Sequence, residues 1–279
     1  MDMPDPIQIM GILNLTGDSY YAPSRYLGTD GDVDIPSFVS RAREMLSEGA
    51  DILDIGACSS RPGAKPIGAQ EEWRRLAPAL EALLAACPDV RFSIDTTWAD
   101  VVEKIHAAFG PFLVNDISAG EDDPAMLPTV GRLGLPYIAM HKRGSSETMQ
   151  SMTDYPVSEG PLSPVTTAVL TYFKDFAAKA EAAGIRDWIL DPGFGFAKTL
   201  EQNYDLLREL PALQELERPI LVGISRKSMI TKALGLTPEE ALPATQVLHL
   251  AALERGATLL RVHDVAEAVR TVALYRKLS

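Results

Sequence analysis

The chain has 279 residues, 46% of them hydrophobic, with 26 Lys and Arg against 38 Asp and Glu and a formal net charge of -12. That is ample apolar material for an α/β core, and the acidic balance argues against a general electrostatic pull toward nucleic acid or an anionic membrane. No apolar run approaches the roughly 20 residues of a spanning helix, and Cys58 and Cys87 lack metal-ligand spacing, so a soluble protein in a reduced cytoplasmic setting, without structural metal, is expected.

The first apolar run, Ile7 to Leu15, ends at Asn14-Leu15-Thr16-Gly17-Asp18-Ser19, and a polar loop follows to about Ile35. A helical pattern spans Pro36 to Gly49, with Phe38, Ala42, Met45 and Leu46 on one face. Strand two, Asp51 to Ile55, carries Asp54 and opens into Ser59-Ser60-Arg61-Pro62-Gly63. The helix Gln70 to Ala86 sets Trp73, Leu76, Leu80, Leu83 and Leu84 at core spacing. Strand three, Arg91 to Thr96, delivers Asp95, and a helix runs from Ala99 to Phe109. Strand four, Phe112 to Ile117, delivers Asn115 and Asp116; a short helix near Ala125 to Leu133 leads to strand five, Pro136 to Met140. The longest irregular stretch, Lys142 to Pro164, reads as an active-site loop or a plain surface excursion.

A long helix, Val165 to Ala183, feeds the sixth strand, where Trp-Ile-Leu breaks at Asp191-Pro192-Gly193 and leaves an acid at the strand's carboxyl end. A sixth helix lies within Leu200 to Leu216, and strand seven, Pro219 to Ile224, ends in Ser225-Arg226-Lys227-Ser228. The seventh helix, Ala244 to Arg255, precedes strand eight, Thr258 to Val262, which ends at His263-Asp264; a last helix, Val265 to Leu278, closes the chain. Eight alternating β/α units predict a single (β/α)8 barrel, the TIM-barrel class, over residues 1–279, with the site at the strands' carboxyl ends. A doubly wound open sheet is the competitor, but the first β/α turn has no glycine-rich dinucleotide fingerprint.

Gathered on one face, Asp95, Asn115 and Asp191 suit the donor-rich edge of a flat heterocycle bearing an amino group and a ring N–H. Two of the three bracing loops is the plain alternative, and a carboxylate pair for hydrolysis is another, since sequence gives no separation. Lys227 is placed to bond a ring carbonyl or a second substrate, or is a solvated lysine. Asn14, Ser60, Arg61, Arg261 and His263 form a second set suited to a diphosphate, with Asn14 offering one oxygen ligand to Mg2+. A structural role is the alternative for His263, and no Walker A loop is present.

Met10-Gly11-Ile12-Leu13-Asn14, Ser59-Ser60-Arg61-Pro62-Gly63, Ser93-Ile94-Asp95-Thr96, Asn115-Asp116-Ile117, Asp191-Pro192-Gly193-Phe194-Gly195-Phe196, Gly223-Ile224-Ser225-Arg226-Lys227-Ser228 and Arg261-Val262-His263-Asp264 together resemble the dihydropteroate synthase family, in its order and spacing. The resemblance implies that 6-hydroxymethyl-7,8-dihydropterin diphosphate and 4-aminobenzoate are joined, giving 7,8-dihydropteroate and diphosphate, by an SN1-like substitution assisted by Mg2+. It implies a pterin pocket of Asp95, Asn115, Asp191, Lys227 and Arg261, with Ile117, Met140 and Phe196 as apolar neighbours and Gly223 giving close access. Asn14, Ser60, Arg61, Arg261 and His263 fall on its diphosphate site, Asn14 also on the metal. Ser60, Pro62, Phe196, Lys227 and Ser228 fall on its aminobenzoate position. The catalytic set carried over is Asp95, Lys227, Arg61 and His263. A homodimer and sulfonamide binding are implied as well.

This chain departs from the family's common pattern at Gly17 and Tyr20-Tyr21-Ala22-Pro23 in the first loop, at Ala57-Cys58-Ser59-Ser60 in the second, and at Lys142-Arg143, where Met and Gln are more usual. The last pair is read as ordinary surface variation. A pterin-dependent methyltransferase barrel is an alternative, without reason to keep Arg61, Lys227, Arg261 and His263. So is a paralogue that binds pterin without turnover.

Overall fold

The computed structural model describes residues 7–15, 26, 33–58, 67–144, 148, 151–157 and 159–278. Eight parallel strands alternate with helices: β1 (Gln8–Asn14), α1 (Ile35–Glu48), β2 (Ile52–Gly56), α2 (Ala69–Ala86), β3 (Phe92–Asp95), α3 (Ala99–Phe109), β4 (Leu113–Asp116), α4 (Met126–Leu133) and β5 (Tyr137–Met140). The second half continues with α5 (Pro164–Ala183), β6 (Trp188–Asp191), α6 (Leu200–Arg208), a 3-10 turn (Leu210–Leu216), β7 (Leu221–Val222), α7 (Ser228–Leu234), α8 (Leu242–Leu253), β8 (Leu259–Val262) and α9 (Val265–Leu278). Hydrogen-bonded neighbours run β6-β5-β4-β3-β2-β1-β8-β7, and a bridge between Leu190 and Ile220 nearly closes the ring. This is the expected (β/α)8 barrel.

Two apolar shells follow from side-chain alternation along the strands. Leu53, Ile55, Ile94, Val114, Ala139, Leu190, Val222 and Leu260 point outward into a core shared with Phe38, Leu76, Val102 and Phe173 of the helices. Met10, Ile52, Leu113, Ile138, Leu221 and Leu259, with Ile189 packed against them, point inward and form a separate plug. One alternation further along the same strands stand Asp54, Asn115, Met140, Asp191, Gly223 and Arg261. The register sets Asp54 beside Ser93 and Asp95 beside Asn115, so β3 joins the same layer. An apolar floor thus carries a polar layer one step above it.

Helix boundaries have local causes. Asp34 accepts from the Ser37 N–H at 3.1 Å to start α1, and Gly49, at φ 103°, ends it. Thr199 and Gln202 form a reciprocal capping box at α6.

Two expectations are corrected. Strand seven is only Leu221–Val222, because Pro219 lacks an N–H to donate; its carbonyl accepts from Leu190 N–H at 3.0 Å, and Ile220 meets Leu190 in the single bridge that closes the ring. A short helix, α7, precedes the one expected as seventh; seven residues ended by left-handed Gly235 are too few to register as a periodic pattern.

Candidate active site

The best-tied group in the polar layer is one that strand-end reasoning left out of the site. Asp54 is fully buried, accepts from the Ser93 hydroxyl, from Asn115 Nδ2 at 3.2 and 3.3 Å, and from Arg261 Nε at 2.7 Å. A buried carboxylate is tolerated only when paired and hydrogen-bonded, and here four bonds meet that need. Arg261 also reaches Asp95 Oδ2 at 3.1 Å. Burial opposes charge on Arg261, and Asp54 and Asp95 more than restore it. Burial pushes Asp95 up to about 7 against the pull of Arg261, with Asp54, Asp116 and Asp191 adding to the rise. The two residue sets expected from sequence therefore meet at Arg261.

Asp116, also fully buried, turns away from this network. It accepts from the Ser118 N–H and hydroxyl, from Gly120 N–H at 2.8 Å and from the Tyr137 hydroxyl, so it braces the turn after β4.

On the opposite side, the chain after β6 folds into a tight turn. Asp191 accepts from Gly193 N–H at 2.8 Å, and Gly193 has φ 71° with a hypothetical Cβ only 2.0 Å from the His141 carbonyl oxygen. Only glycine fits there. Burial raises Asp191, while Lys227, the Gly193 N–H, Arg261 and Lys198 oppose the rise. Lys227 Nζ donates to the Phe194 carbonyl at 2.8 Å and lies 4.9 Å from the centre of the Phe196 ring. Burial lowers Lys227 to about 8 despite Asp191. Lys198, unremarked in the sequence, is buried under the turn. A Cβ at Gly223 would meet only ordinary contacts, the nearest 3.8 Å from Lys227 Nζ, so the protein itself leaves that space open.

His263 stands one alternation beyond Arg261. Its backbone N–H donates to Ser225 Oγ at 3.3 Å and its Nδ1 lies 3.0 Å from the same oxygen. The arrangement that satisfies both has the hydroxyl donating to Nδ1, which puts the ring proton on Nε2. Burial, with Arg261 next, lowers His263 to about 3, which keeps it a neutral donor, as its place in the diphosphate set requires. Arg226, at φ 55°, forms a two-pronged pair with Asp264 at 2.8 Å and also donates to the carbonyls of Pro238 and Glu239. That pair ties the loops after β7 and β8 together and fixes the backbone that presents Lys227 and Ser228.

Asn14 ends β1 beside Gly56, where a Cβ would lie 3.1 Å from Asn14 Oδ1 and 3.3 Å from Asp95 Cβ. Met140 is buried at the end of β5, and Ile117 is half-buried after β4. Ser60, Arg61 and Pro62 lie outside the described residues, as do Gly17 and Tyr20 to Pro23 of the first loop. Among the described residues no group of three or more His, Cys, Asp or Glu is arranged to hold a metal.

The polar layer at the strand ends thus holds Asp54, Asp95, Asn115 and Asp191 beside Lys227 and Arg261. Residues 10–263 match the family described as pterin binding enzyme. The dihydropteroate synthase of Synechocystis is 40% identical over 258 residues, 92% of this chain and 85% of that protein. The chain belongs to the dihydropteroate synthase family. Among solved members, the Yersinia pestis enzyme with a sulfonamide drug superposes with a TM-score of 0.86 at 36% identity, covering 100% of this chain and 95% of that one. The Xanthomonas albilineans enzyme in complex with 7,8-dihydropteroate gives 0.81 at 32% identity, covering 98% and 94%.

Against the family's common pattern, Lys142 is not surface variation. Lys142 is 7% exposed, and its Nζ pairs with Asp122 Oδ2 at 2.6 Å. Arg143 donates to the Met152 carbonyl at 3.2 Å and to that of Asp154, and its guanidinium sits 4.9 Å over the Tyr155 ring. Tyr155 in turn donates to the Ala197 carbonyl at 3.0 Å, and Gln202 to that of Thr153 at 2.8 Å. The described part of the long irregular stretch is therefore docked on the turn after β6, next to the site. Burial pushes the Cys58 thiol up, which leaves it a poor nucleophile.

Proposed function

We propose that this chain is a dihydropteroate synthase, joining 6-hydroxymethyl-7,8-dihydropterin diphosphate to 4-aminobenzoate. The carrying observation is the inward polar layer, in which Asp95, Asn115 and Asp191 stand on three strands of one ring with Arg261 and Lys227 between them. Asp191 and Asp95 accept from the pterin's amino group and ring N–H, Asn115 adds an amide, and Lys227 donates to the ring carbonyl. Met140, Ile117 and Phe196 flank the ring faces. The relatives solved with 7,8-dihydropteroate and with a sulfonamide drug support this assignment.

In the reaction the carbon–oxygen bond at the pterin methylene breaks, the electron pair leaves with diphosphate, and the aniline nitrogen forms the new carbon–nitrogen bond and loses a proton. Positive charge grows on the pterin while the bond loosens, and the acid layer around it favours an SN1-like course. Arg261 and the neutral Nε2–H of His263, with Ser60 and Arg61 from the second loop, receive the departing anion. The aminobenzoate is assigned to Lys227, Ser228 and Phe196 with Ser60 and Pro62, the surface a sulfonamide would share.

The donor set fits Mg2+. Asn14 Oδ1, at the end of β1, is a single neutral oxygen packed close to Gly56, and such a ligand suits an ion that keeps its waters and draws further ligands from diphosphate. When bound, the ion neutralises charge developing on the leaving group. A homodimer is proposed from the large apolar side chains left exposed on the adjoining helices α8 and α9, Val247, Leu274 and Leu278. Light scattering during gel filtration tests it, and a monomer mass at micromolar concentration would overturn it. No helix among the described residues is long and apolar enough to cross a membrane, in keeping with the proposed cytoplasmic location.

The deciding experiment measures diphosphate release from the dihydropterin diphosphate with and without 4-aminobenzoate, in Mg2+ and in excess chelator. Release that needs both, with stoichiometric dihydropteroate, is expected. Tight pterin binding without release would replace this reading by a non-catalytic pterin binder.

A further inference from the structure

Beneath the turn from Asp191 to Phe196 lies a buried cation for which the proposed reaction has no use. Lys198 is 4% exposed, and its Nζ donates to the carbonyls of Gly193 at 2.9 Å and Phe196 at 3.1 Å. Its third neighbour is Nδ1 of His141 at 3.0 Å. These three acceptors use all three N–H bonds of an ammonium. His141 is itself buried and held edge-on to Tyr172, ring centres 5.0 Å apart, with Tyr155 at 6.2 Å. With a lysine facing Nδ1, the imidazole proton belongs on Nε2.

The turn above also closes on itself, because the same Gly193 carbonyl accepts from Phe196 N–H at 3.1 Å. Asn203 accepts from Gly195 N–H at 2.7 Å, and Tyr155 holds the Ala197 carbonyl. The carbonyls of Gly193 and Phe196 bracket Phe194, whose own carbonyl receives Lys227. A shift of either bracket moves the Asp191 carboxylate at one end and the Lys227 contact at the other.

We propose that Lys198, seated on His141, is a positioning residue for pterin recognition, clamping the two carbonyls of this turn so that Asp191 and Lys227 face the pocket together. The proposal deepens the synthase reading and rests on it, since it assumes that the dihydropterin occupies the Asp191 side of the layer. The groups facing Lys198 are His141 from the segment after β5, Asp191 from β6 and Lys227 from the loop before α7, and Arg143 acts on His141 in turn. Burial lowers Lys198 to about 7, Asp191 opposing and Lys227 reinforcing the fall. Burial likewise holds His141 well below the ordinary histidine range, so it accepts without competing for the proton. The clamp is therefore fully charged at mildly acid pH and is lost as pH rises through about 7.

The test is calorimetric binding of 6-hydroxymethyl-7,8-dihydropterin, without 4-aminobenzoate, from mildly acid to mildly alkaline pH. Wild-type affinity is expected to weaken as pH rises through the Lys198 range. Lys198→Met, checked for folding by circular dichroism, is expected to bind about tenfold or more weakly at the acid end and to lose that pH dependence, the loss of a charged hydrogen-bond donor. Lys198→Arg, whose guanidinium keeps its charge, is expected to bind with the wild-type strength at mildly acid pH and to stay flat as pH rises. His141→Phe removes one acceptor from the ammonium, and the weakening is expected to begin at lower pH than in wild type. Equal affinity of wild type and Lys198→Met would overturn the clamp, and so would an unchanged pH dependence in Lys198→Arg and His141→Phe, which would assign it to Lys227. Failure of wild type itself to bind the dihydropterin would instead remove the synthase reading.

Discussion

The two sides of the barrel mouth use the same chemical group in opposite ways. On one side Asp54 is fully buried with its acceptor positions taken by Ser93, Asn115 and Arg261. On the other, Asp191 has a single backbone donor, Gly193, and faces Lys227 and Lys198, which are themselves bonded to carbonyls and to a histidine. A saturated carboxylate sets the positions of its donors and has little left to offer a ligand. One held by its neighbours' placement keeps its oxygens for an incoming N–H. Carboxylates at similar heights in the barrel thus divide into a brace and a reader.

The sharpest way to break that division is Asp54→Ala, which strips the buried Arg261 of its main partner. It should lower unfolding free energy by about 3 to 5 kcal/mol, read by urea denaturation; a loss as small as that of a surface change would mean Asp54 is no brace. Next comes Glu72, a third acid, buried on α2 with Oε1 unbonded among the described residues and raised by burial to about 8. A carboxyl whose folded pKa lies above its unfolded value favours the fold fully below about 4.5 and loses that contribution as pH rises toward about 8. Glu72→Gln has no proton to lose, so at alkaline pH it should be more stable than wild type by on the order of 3 kcal/mol, with the gap closing below pH of about 5. Parallel melting curves at all pH values would show the carboxyl to be ionised in the fold.

For the reader, Asp191→Asn should weaken dihydropterin binding about 10- to 100-fold, the worth of a hydrogen bond to a charged group, while unfolding free energy stays within about 1 kcal/mol. The reverse pattern would exchange the two roles. The smallest effect belongs to Lys142→Met, because the partner Asp122 is about half exposed. Its melting transition should shift by the equivalent of less than about 1 kcal/mol, and a larger loss would make the pair a structural anchor of the loop after β5.

Much of this was legible in the residues. The limits of α3 and α9 coincide with the expected Ala99 to Phe109 and Val265 to Leu278, because each is a full amphipathic helix with clear punctuation. Asp95 and Asp191 were readable because each ends its strand, and Asn115 because it stands one residue short of the end of β4. Asp54 was passed over because it lies two residues inside β2, yet its inward parity with Ile52 and Gly56 was the available signal. Lys198 follows a turn of glycines and phenylalanines with no periodicity, so nothing local says that it points inward. Lys142 looked like surface variation because its partner, Asp122, comes from a separate segment, as do the Met152 and Asp154 carbonyls that hold the part-exposed Arg143.

Sequence alone determined the alternation of eight strands with helices, the polar residues at the strand ends and the family to which they belong, since periodicity and motif spacing are properties of the chain. Tertiary structure alone decided which acids are braces and which are open, that Arg261 joins two sets into one, and that His263 is neutral. Those depend on which side chains from distant strands share a desolvated space, and hydrogen-bond saturation and charge state are properties of that space.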